Sequence, residues 1–459
     1  MRNNIITLTD SYKTSHWLLY PDKAERIYSY FESRTGARWH DTVFFGLQYI
    51  LKEYLVGKVI TKEGVAQAKE LIDAHMGPGI FNEVAWIKML EKYDGHLPVI
   101  IKAIPEGLAI PVSNVLFTIE NTDEEFAWIT NYLETILTHV WSASTVCTNS
   151  YEQKKILLQY LQATGDPNLI DFKLHDFSFR GCSSVETAGT GGAAHLVNFK
   201  GTDNIKGLEI VRDYYSGGVA GSSIVATEHS NMTLFGRDGE EDTMRRILQK
   251  FPSGLIACVS DQYDIYNAVA NIWGDKLKEV VLARDGCLVI RPDSGRAEKI
   301  LPDLLAILGE KFGQTRNDKG YFVLNPKVRL IQGDNVNIET LKLFLDAITK
   351  AGYSADNIAF GSGGALVQKV DRDIQRFATK CSAAKIDGKW RDVYKDPITD
   401  GGKKSKPGRL ALIKTESGYE TIKEDELGNR NNILETVFEN GKLVKEYSFE
   451  EVRKNAEIK

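Results

Sequence analysis

The sequence predicts an α/β fold: an irregular α/β barrel joined to a mixed α+β domain. Three observations carry this. From about residue 170, short apolar segments end in polar or glycine residues and lead into helical segments, six times over. Such alternation of strand and helix builds a parallel sheet. The residues capable of chemistry stand just after the apolar segments, where a parallel barrel gathers its active residues. A doubly wound sheet obeys the same end-of-strand rule and is the alternative.

Residues 1–150 lack this rhythm and read as mixed α+β. "ERIYSYFESR" alternates like a strand. "VFFGLQYILKEYL" and "TKEGVAQAKELIDAHM" carry helical spacing, the second opened by a capping Thr61. "LPVIIKAIPEGLAIPVSNVLFTIENT" reads as strands cut short by Pro and Gly. "EEFAWITNYLETILTHVWSASTVCTNSYEQKKILLQYLQAT" reads as long helix. The barrel-like region is placed at 151–380. Its strand ends are "KLHDFSFRG", "SSIVATEHS", "LIACVSDQYD", "CLVIRPDSG", "VRLIQGDN" and "NIAFGSGG". The helices between them are "EEDTMRRILQKF", "QYDIYNAVANIW", "RAEKILPDLLAILGEKF" and "IETLKLFLDAITKAG". Residues 381–459 return to short strands, turns and a basic loop, and the tail is expected to pack with the first 150 residues.

The chain has 459 residues, 42% hydrophobic and 26% charged, which is a soluble globular composition with ample material for a core. A net charge of −5 gives no electrostatic reason to expect nucleic acid or an anionic membrane as partner. No apolar run reaches the roughly 20 residues of a membrane span, and "MRNNIITLTDSYK" does not read as a signal peptide. The five cysteines (Cys147, Cys182, Cys258, Cys287 and Cys381) are scattered, with no C-x-x-C. They read as reduced thiols of a cytoplasmic protein, and argue against a disulfide framework or a cysteine zinc site.

Each strand end has a functional and a bland reading. In "HDFSFRG", Arg180 offers a bidentate contact to phosphate or carboxylate and Phe177 a cover for a flat ring; a buried Phe and a surface ion pair are the ordinary outcome. Asp203 in "VNFKGTDN" suits an Asx-turn. In "VATEHSN", what looks like a buried strand stops at Glu228 and His229. No second His or Cys stands at ligand spacing, so no metal site is expected. A base, a nucleophile and a core histidine stay open. In "VSDQYD", one carboxylate could orient His229, and Asp261 also reads as a helix N-cap. Arg291 and Asp293 in "IRPDSG", two apart on a strand, point to one face. "QGDN" and "GSGGA" are glycine loops that let backbone approach a phosphate, each followed by a helix N-terminus that favours anions. "VDRD" and "KDPITDGGKKSKPGR" add basic residues without aromatic interleaving, more a phosphate clamp than an RNA patch. No G-x-S-x-G, Walker A or dinucleotide fingerprint appears. Together these features favour phosphate and ribose chemistry over acyl transfer, and leave the reaction open.

These segments, with "TDSYKTSHWLLYP", "YSYFESR", "YDGHLPVIIKAIPEG", "SDQYDIYNAVANIWG" and "YSFEEVRKNAEI", closely resemble the nicotinamide phosphoribosyltransferases over nearly the whole chain. The resemblance implies a type II phosphoribosyltransferase, a homodimer with both active sites at the interface. It implies transfer of the phosphoribosyl group of phosphoribosyl pyrophosphate to nicotinamide in NAD salvage, with Mg²⁺ accompanying the pyrophosphate. By position, Phe177 matches the ring-stacking aromatic and Tyr12 the aromatic supplied by the other subunit. Asp203 matches the acceptor for the carboxamide NH2, a choice that disfavours nicotinate. Arg180, Ser223, Arg291 and Pro292 match the lining of the nicotinamide and phosphate site. Asp293 matches the ribose end, and Gly333, Asp334, Gly364 and Arg372 the ribose-phosphate site. Arg34, Lys380, Lys395 and Lys403 match phosphate-directed cations. His229 matches the histidine that ATP phosphorylates, and Asp261 its carboxylate. Ile224, Val225 and Thr227 depart from the vertebrate pattern of Val, Pro and Ala; Ser178 and Phe179 depart from Gly and Tyr. The competing functions are a nicotinate phosphoribosyltransferase and a non-catalytic dimer that binds pyridine nucleotides.

Overall fold

The computed structural model describes residues 4–399, 404–416 and 418–458. Near the N-terminus, β1 (Ala24–Glu32), β2 (Val99–Ala103) and β3 (Val115–Asn121) form an antiparallel sheet in which β3 lies between the other two. Helix α1 (Lys62–Met76) is capped as expected: the Thr61 hydroxyl accepts the Gly64 N–H at 2.9 Å.

The expected long helix is broken. Short turns at Ile129–Tyr132 and Glu134–Thr138 precede α2 (Val140–Thr164). Side chains pin the first turn to β1: Thr130 Oγ1 donates to the Ile27 carbonyl at 3.1 Å, and Asn131 bonds Ser29 at 2.6 Å and Tyr20 at 2.9 Å. The chain therefore follows the sheet first and becomes one long helix only afterwards, still tied to Val43 and Phe45 by Thr148 and Ser144.

Seven parallel strands follow: β4 (Leu174–Asp176), β5 (Gly201–Thr202), β6 (Val225–Ala226), β7 (Ser253–Val259), β8 (Asp285–Arg291), β9 (Val328–Gln332) and β10 (Ile358–Ser362). Their spatial order is β5-β4-β10-β9-β8-β7-β6. An isolated parallel bridge, Gly201 to Ser222, joins β5 to the segment just before β6. Neighbours in sequence are thus neighbours in space all the way round, and the sheet curls into a barrel whose seam lies between β5 and β6. Helices α3 (Val185–Leu196), α4 (Ile205–Tyr215), α5 (His229–Thr233), α6 (Glu240–Lys250), α7 (Ala297–Phe312), α8 (Ile338–Lys350) and α9 (Gly364–Val367) connect the strands, with a wide-turn segment at Ala268–Lys276. Alternation divides the strand residues. Ala257, Val289 and Ile331 form a small cluster with Phe177 and Ile224, whereas Ile256, Cys258, Leu288, Ile290 and Phe360 join the core beneath the helices.

The N-terminal rim of the barrel is held by cations. Lys173 Nζ donates to the carbonyls of Ala355, Asp356 and Ile358 at 2.9, 3.1 and 2.9 Å. Arg284 serves Phe251, Ser253 and Gly254; Arg329 serves Leu324, Asn325 and Val328. Each replaces water at carbonyls that the strands leave unpaired.

The tail returns to the first sheet. Strands β11 (Ala378–Ile386), β12 (Lys389–Asp392), β13 (Glu435–Glu439) and β14 (Lys442–Leu443) give the order β12-β11-β1-β3-β2-β13-β14. The chain then forms a short helix, Phe449–Asn455, that the sequence reading passed over. Its signal was present: Ser448 and Glu451 make a capping box. Among the described residues no helix is long and apolar enough to cross a membrane.

Candidate active site

The site lies at the C-terminal strand ends, where β4 stops at Asp176. That buried carboxylate organises two loops. Oδ1 accepts the Ser178 N–H at 2.7 Å, Oδ2 accepts the Asn204 amide at 3.0 Å, and the Asp176 carbonyl accepts the Asp203 N–H at 3.0 Å. Phe177 is thereby turned over the lumen, its N–H on the Ser362 carbonyl at 2.9 Å. The ring rests on Gly361, where any side chain would collide with it. A Cβ at Gly333 would lie 3.4 Å from Asp293 Oδ1, 3.6 Å from the Phe177 ring and 3.8 Å from Arg291 Cδ. Phe177, Arg291, Asp293 and Gly333 therefore meet at one point.

Asp203 stands at the barrel seam, exposed, with one carboxylate oxygen bonded by the Ser223 hydroxyl. The other oxygen has no partner among the described residues. Below it, burial holds the His175 imidazole under its ordinary pKa, against the opposing pull of Asp203. A neutral imidazole leaves the Asp203 charge uncompensated from beneath.

Strand β6 is two residues long and exposed, unlike the buried strand expected before His229. It sits beside the seam and pairs only with β7 along its own length. Thr227 extends that pairing by its side chain: Oγ1 accepts the Val259 N–H at 2.9 Å. Glu228 then caps α5, and His229 is its first residue. His229 Nε2 lies 2.9 Å from Asp261 Oδ1, with the imidazole half exposed and the carboxylate almost buried. An ionised carboxylate only accepts, so the Nε2 proton points at Asp261 and Nδ1 keeps its lone pair. The N-cap role expected of Asp261 belongs to Asp264, which accepts the Tyr266 and Asn267 N–H groups.

Arg291 ends β8 and lies 3.5 Å from Asp293. The pair forms, but not by strand alternation, because buried Pro292 and then Asp293 lie beyond the strand. Arg291 Nε is buried without a hydrogen-bond partner, and Arg180 has no side-chain partner among the described residues. Arg180, exposed, and Arg291, paired with Asp293, both line a cleft of about 490 Å³ with Phe177, Asp203, Thr227 and Glu228. A second cavity of about 420 Å³, lined by His175, Ser223, Ile224, Val289 and Ile331, occupies the lumen on the side of Lys173.

Residues 172–442 match the model of the nicotinate phosphoribosyltransferase (NAPRTase) family, and residues 4–101 that of the nicotinamide phosphoribosyltransferase N-terminal domain. A nicotinamide phosphoribosyltransferase of Xanthomonas campestris pv. campestris is 48% identical over 99% of this chain and 98% of that one. One of Acinetobacter baylyi is 34% identical over 98% and 97%. The chain belongs to the nicotinamide phosphoribosyltransferase family. Two solved structures share its fold: nicotinate-nucleotide pyrophosphorylase from Pyrococcus furiosus (TM-score 0.63, 16% identity, 99% of this chain and 95% of that one) and human nicotinic acid phosphoribosyltransferase (TM-score 0.57, 15% identity, 98% and 92%).

Within this nicotinamide phosphoribosyltransferase fold, some candidate residues stand apart from the cleft. Exposed Tyr12 meets His16 and Lys13 of its own segment. Arg34, Lys380 and Lys395 gather on the antiparallel sheet: burial lowers the Lys380 pKa, and Arg34 and Lys395 press the same way against Glu134 and Glu32. Asp334 and Arg372 are exposed in their loops, and Gly364 packs on Gly181. Lys403 lies outside the described residues. The glycine loops bring backbone close, but the helix-terminus argument fails for both. Asn337 already caps α8, and α9 has four residues. Sequence reasoning gave no organising role to Asp176 or Asn204 and did not see Gly361 as the ring seat, since the Asp176–Asn204 bond and the Gly361–Phe177 contact join residues distant in sequence.

Proposed function

We propose that the chain transfers the phosphoribosyl group of phosphoribosyl pyrophosphate to the ring nitrogen of nicotinamide, giving nicotinamide mononucleotide and pyrophosphate in NAD salvage. The observation that carries this is the placement of Asp203 at the mouth of the cleft, beside Phe177. Phe177 would stack on the flat ring, and the free Asp203 oxygen would accept the carboxamide NH2. Nicotinate would set carboxylate against carboxylate, so the geometry disfavours it. Arg291 and Arg180 would meet the phosphates, stabilising negative charge that develops on the departing pyrophosphate.

His229 would be the nucleophile that couples ATP. Nδ1 attacks the γ-phosphorus; the N–P bond forms as the bond to the ADP oxygen breaks, and Asp261 stabilises the imidazolium. Water later cleaves the N–P bond and releases phosphate.

Mg²⁺ is expected with the pyrophosphate. No group of three or more His, Cys, Asp or Glu stands ready to cage a metal among the described residues. Such an ion would be held largely by water and substrate phosphate. Asp293 would be its protein ligand, and the ion would neutralise phosphate charge.

A second copy of the chain would complete the site. Tyr12 is 55% exposed, and the Arg34–Lys380–Lys395 group has no ion pair to the cleft among the described residues. A homodimer would bring both across its interface. Free cysteines throughout fit a cytoplasmic setting.

The test is one assay of nicotinamide against nicotinate, with and without ATP. Product from nicotinamide is expected, and Asp203→Ala should lower kcat/KM for nicotinamide about 30-fold, the cost of a charge-assisted hydrogen bond. Mixing Asp203→Ala with Tyr12→Ala chains should restore activity, since a heterodimer holds one intact site. Preference for nicotinate, or no recovery on mixing, would refute the corresponding claim.

A further inference from the structure

The Asp261 carboxylate serves two separate elements. Oδ1 faces His229; Oδ2 accepts the Asp293 N–H at 3.2 Å and the hydroxyl of Ser294. The Asp261 side chain is only 5% exposed, and among the described residues no Lys or Arg forms an ion pair with it. A carboxylate so short of water depends on fixed donors. Its own backbone is anchored. The neighbouring Ser260 gives its N–H to the Arg291 carbonyl at 3.1 Å, and its hydroxyl oxygen accepts the Trp273 indole N–H at 3.1 Å. Its other partner is the turn 292–295, which ends in Gly295 at φ +85° and carries Asp293.

We infer that Ser294 is a positioning residue that couples His229 to the phosphoribosyl end of the cleft. This rests on the reading of His229 as the phosphate acceptor and of Asp293 as a ribose-side residue. A ligand that engages Asp293 shifts the turn, and both Oδ2 donors shift with it. The carboxylate must follow them, and its other oxygen sets the direction of the His229 ring. By reciprocity, phosphorylation of His229 alters the affinity of the turn for the phosphoribosyl substrate. Ser294 touches no reacting atom in this scheme; it transmits through Asp261.

The experiment measures ATP hydrolysis by the full-length protein with and without phosphoribosyl pyrophosphate, and takes the ratio of the two rates. The ratio in the wild type is expected to depart from one by about fivefold or more. In Ser294→Ala it should collapse toward one, and Ser294→Thr, which keeps a hydroxyl, should restore it. A structural defect alone would scale both rates and leave the ratio in place. A wild-type ratio of one, an unchanged ratio in Ser294→Ala, or a Thr variant that behaves like Ala overturns the inference. Absence of acid-labile phosphate on the wild type given labelled ATP overturns the His229 reading itself and this inference with it. That result is distinguishable because it appears before any substitution.

Discussion

At the N-terminal rim of the barrel, Lys173 spends all three of its donors on carbonyls of the chain, and Arg329 binds three more. At the C-terminal rim, Arg291 keeps a buried Nε without a partner and Arg180 holds nothing among the described residues. Both rims are made by the same strands and both carry cations. They differ in whether the protein itself satisfies the charge. A cation saturated by backbone is part of the fold. Arg284 at the N-terminal rim also keeps a buried Nη1 without a partner, so an unpaired donor marks a place for a ligand only where the cation lines a cleft, as Arg180 and Arg291 do.

Four substitutions test that contrast. The largest effect is expected at the open rim: His229→Ala should reduce ATP-derived, acid-labile phosphate on the protein to background, leaving a slower ATP-independent transfer. Labelled ATP followed by acid treatment reads this directly. Gly361→Ala comes next. Its methyl group would fall in the Phe177 ring, so the ring must leave its seat. A rise in KM for nicotinamide of about tenfold is expected, with overpacking costing about 1–3 kcal/mol of stability. An unchanged KM would show that the ring does not depend on its seat.

At the saturated rim the prediction inverts: Lys173→Met should cost about 3 kcal/mol of stability, with kcat of the folded enzyme little altered. The pH dependence has a definite sign. Burial pushes the Lys173 pKa down to about 7 from 10.5, although the three carbonyls it serves favour the ammonium and act against that fall. Between those values the unfolded chain binds more protons than the folded one. Stability from this group is therefore fully present above 10.5 and lost as pH falls toward 7. Denaturant titrations across that window should show the slope in the wild type and its loss in Lys173→Met. The smallest effect is expected for Thr227→Ala, which leaves the Val259 N–H unpaired beneath the His229 loop. About 1 kcal/mol of stability should go, with ATP coupling reduced more than basal transfer. Equal loss of both would place Thr227 in the fold alone.

The strand and helix rhythm was legible because each unit carries its own local pattern: apolar run, polar stop, amphipathic helix. The residues that converge at the cleft were legible for the same reason, as they stand where runs stop. The helix break near Leu133 was not, because it depends on Thr130 and Asn131 bonding a strand about 100 residues earlier. The Asp261 cap was misread because Asp264, three residues on, competes for the same job. That competition is settled by where the helix begins, at Ile265. Gly361 read as part of a glycine loop for phosphate; its reason is the ring of Phe177, far away in the chain.

The sequence by itself determined the order of elements, the chemistry available at each strand end and the family resemblance. These are local properties, set by side-chain type and by spacing along one chain. Only the tertiary structure decided which carboxylate meets His229, which guanidiniums stay unsatisfied and where the barrel closes. Those depend on donors and acceptors brought together by the curl of the sheet, and a linear pattern holds no record of that curl.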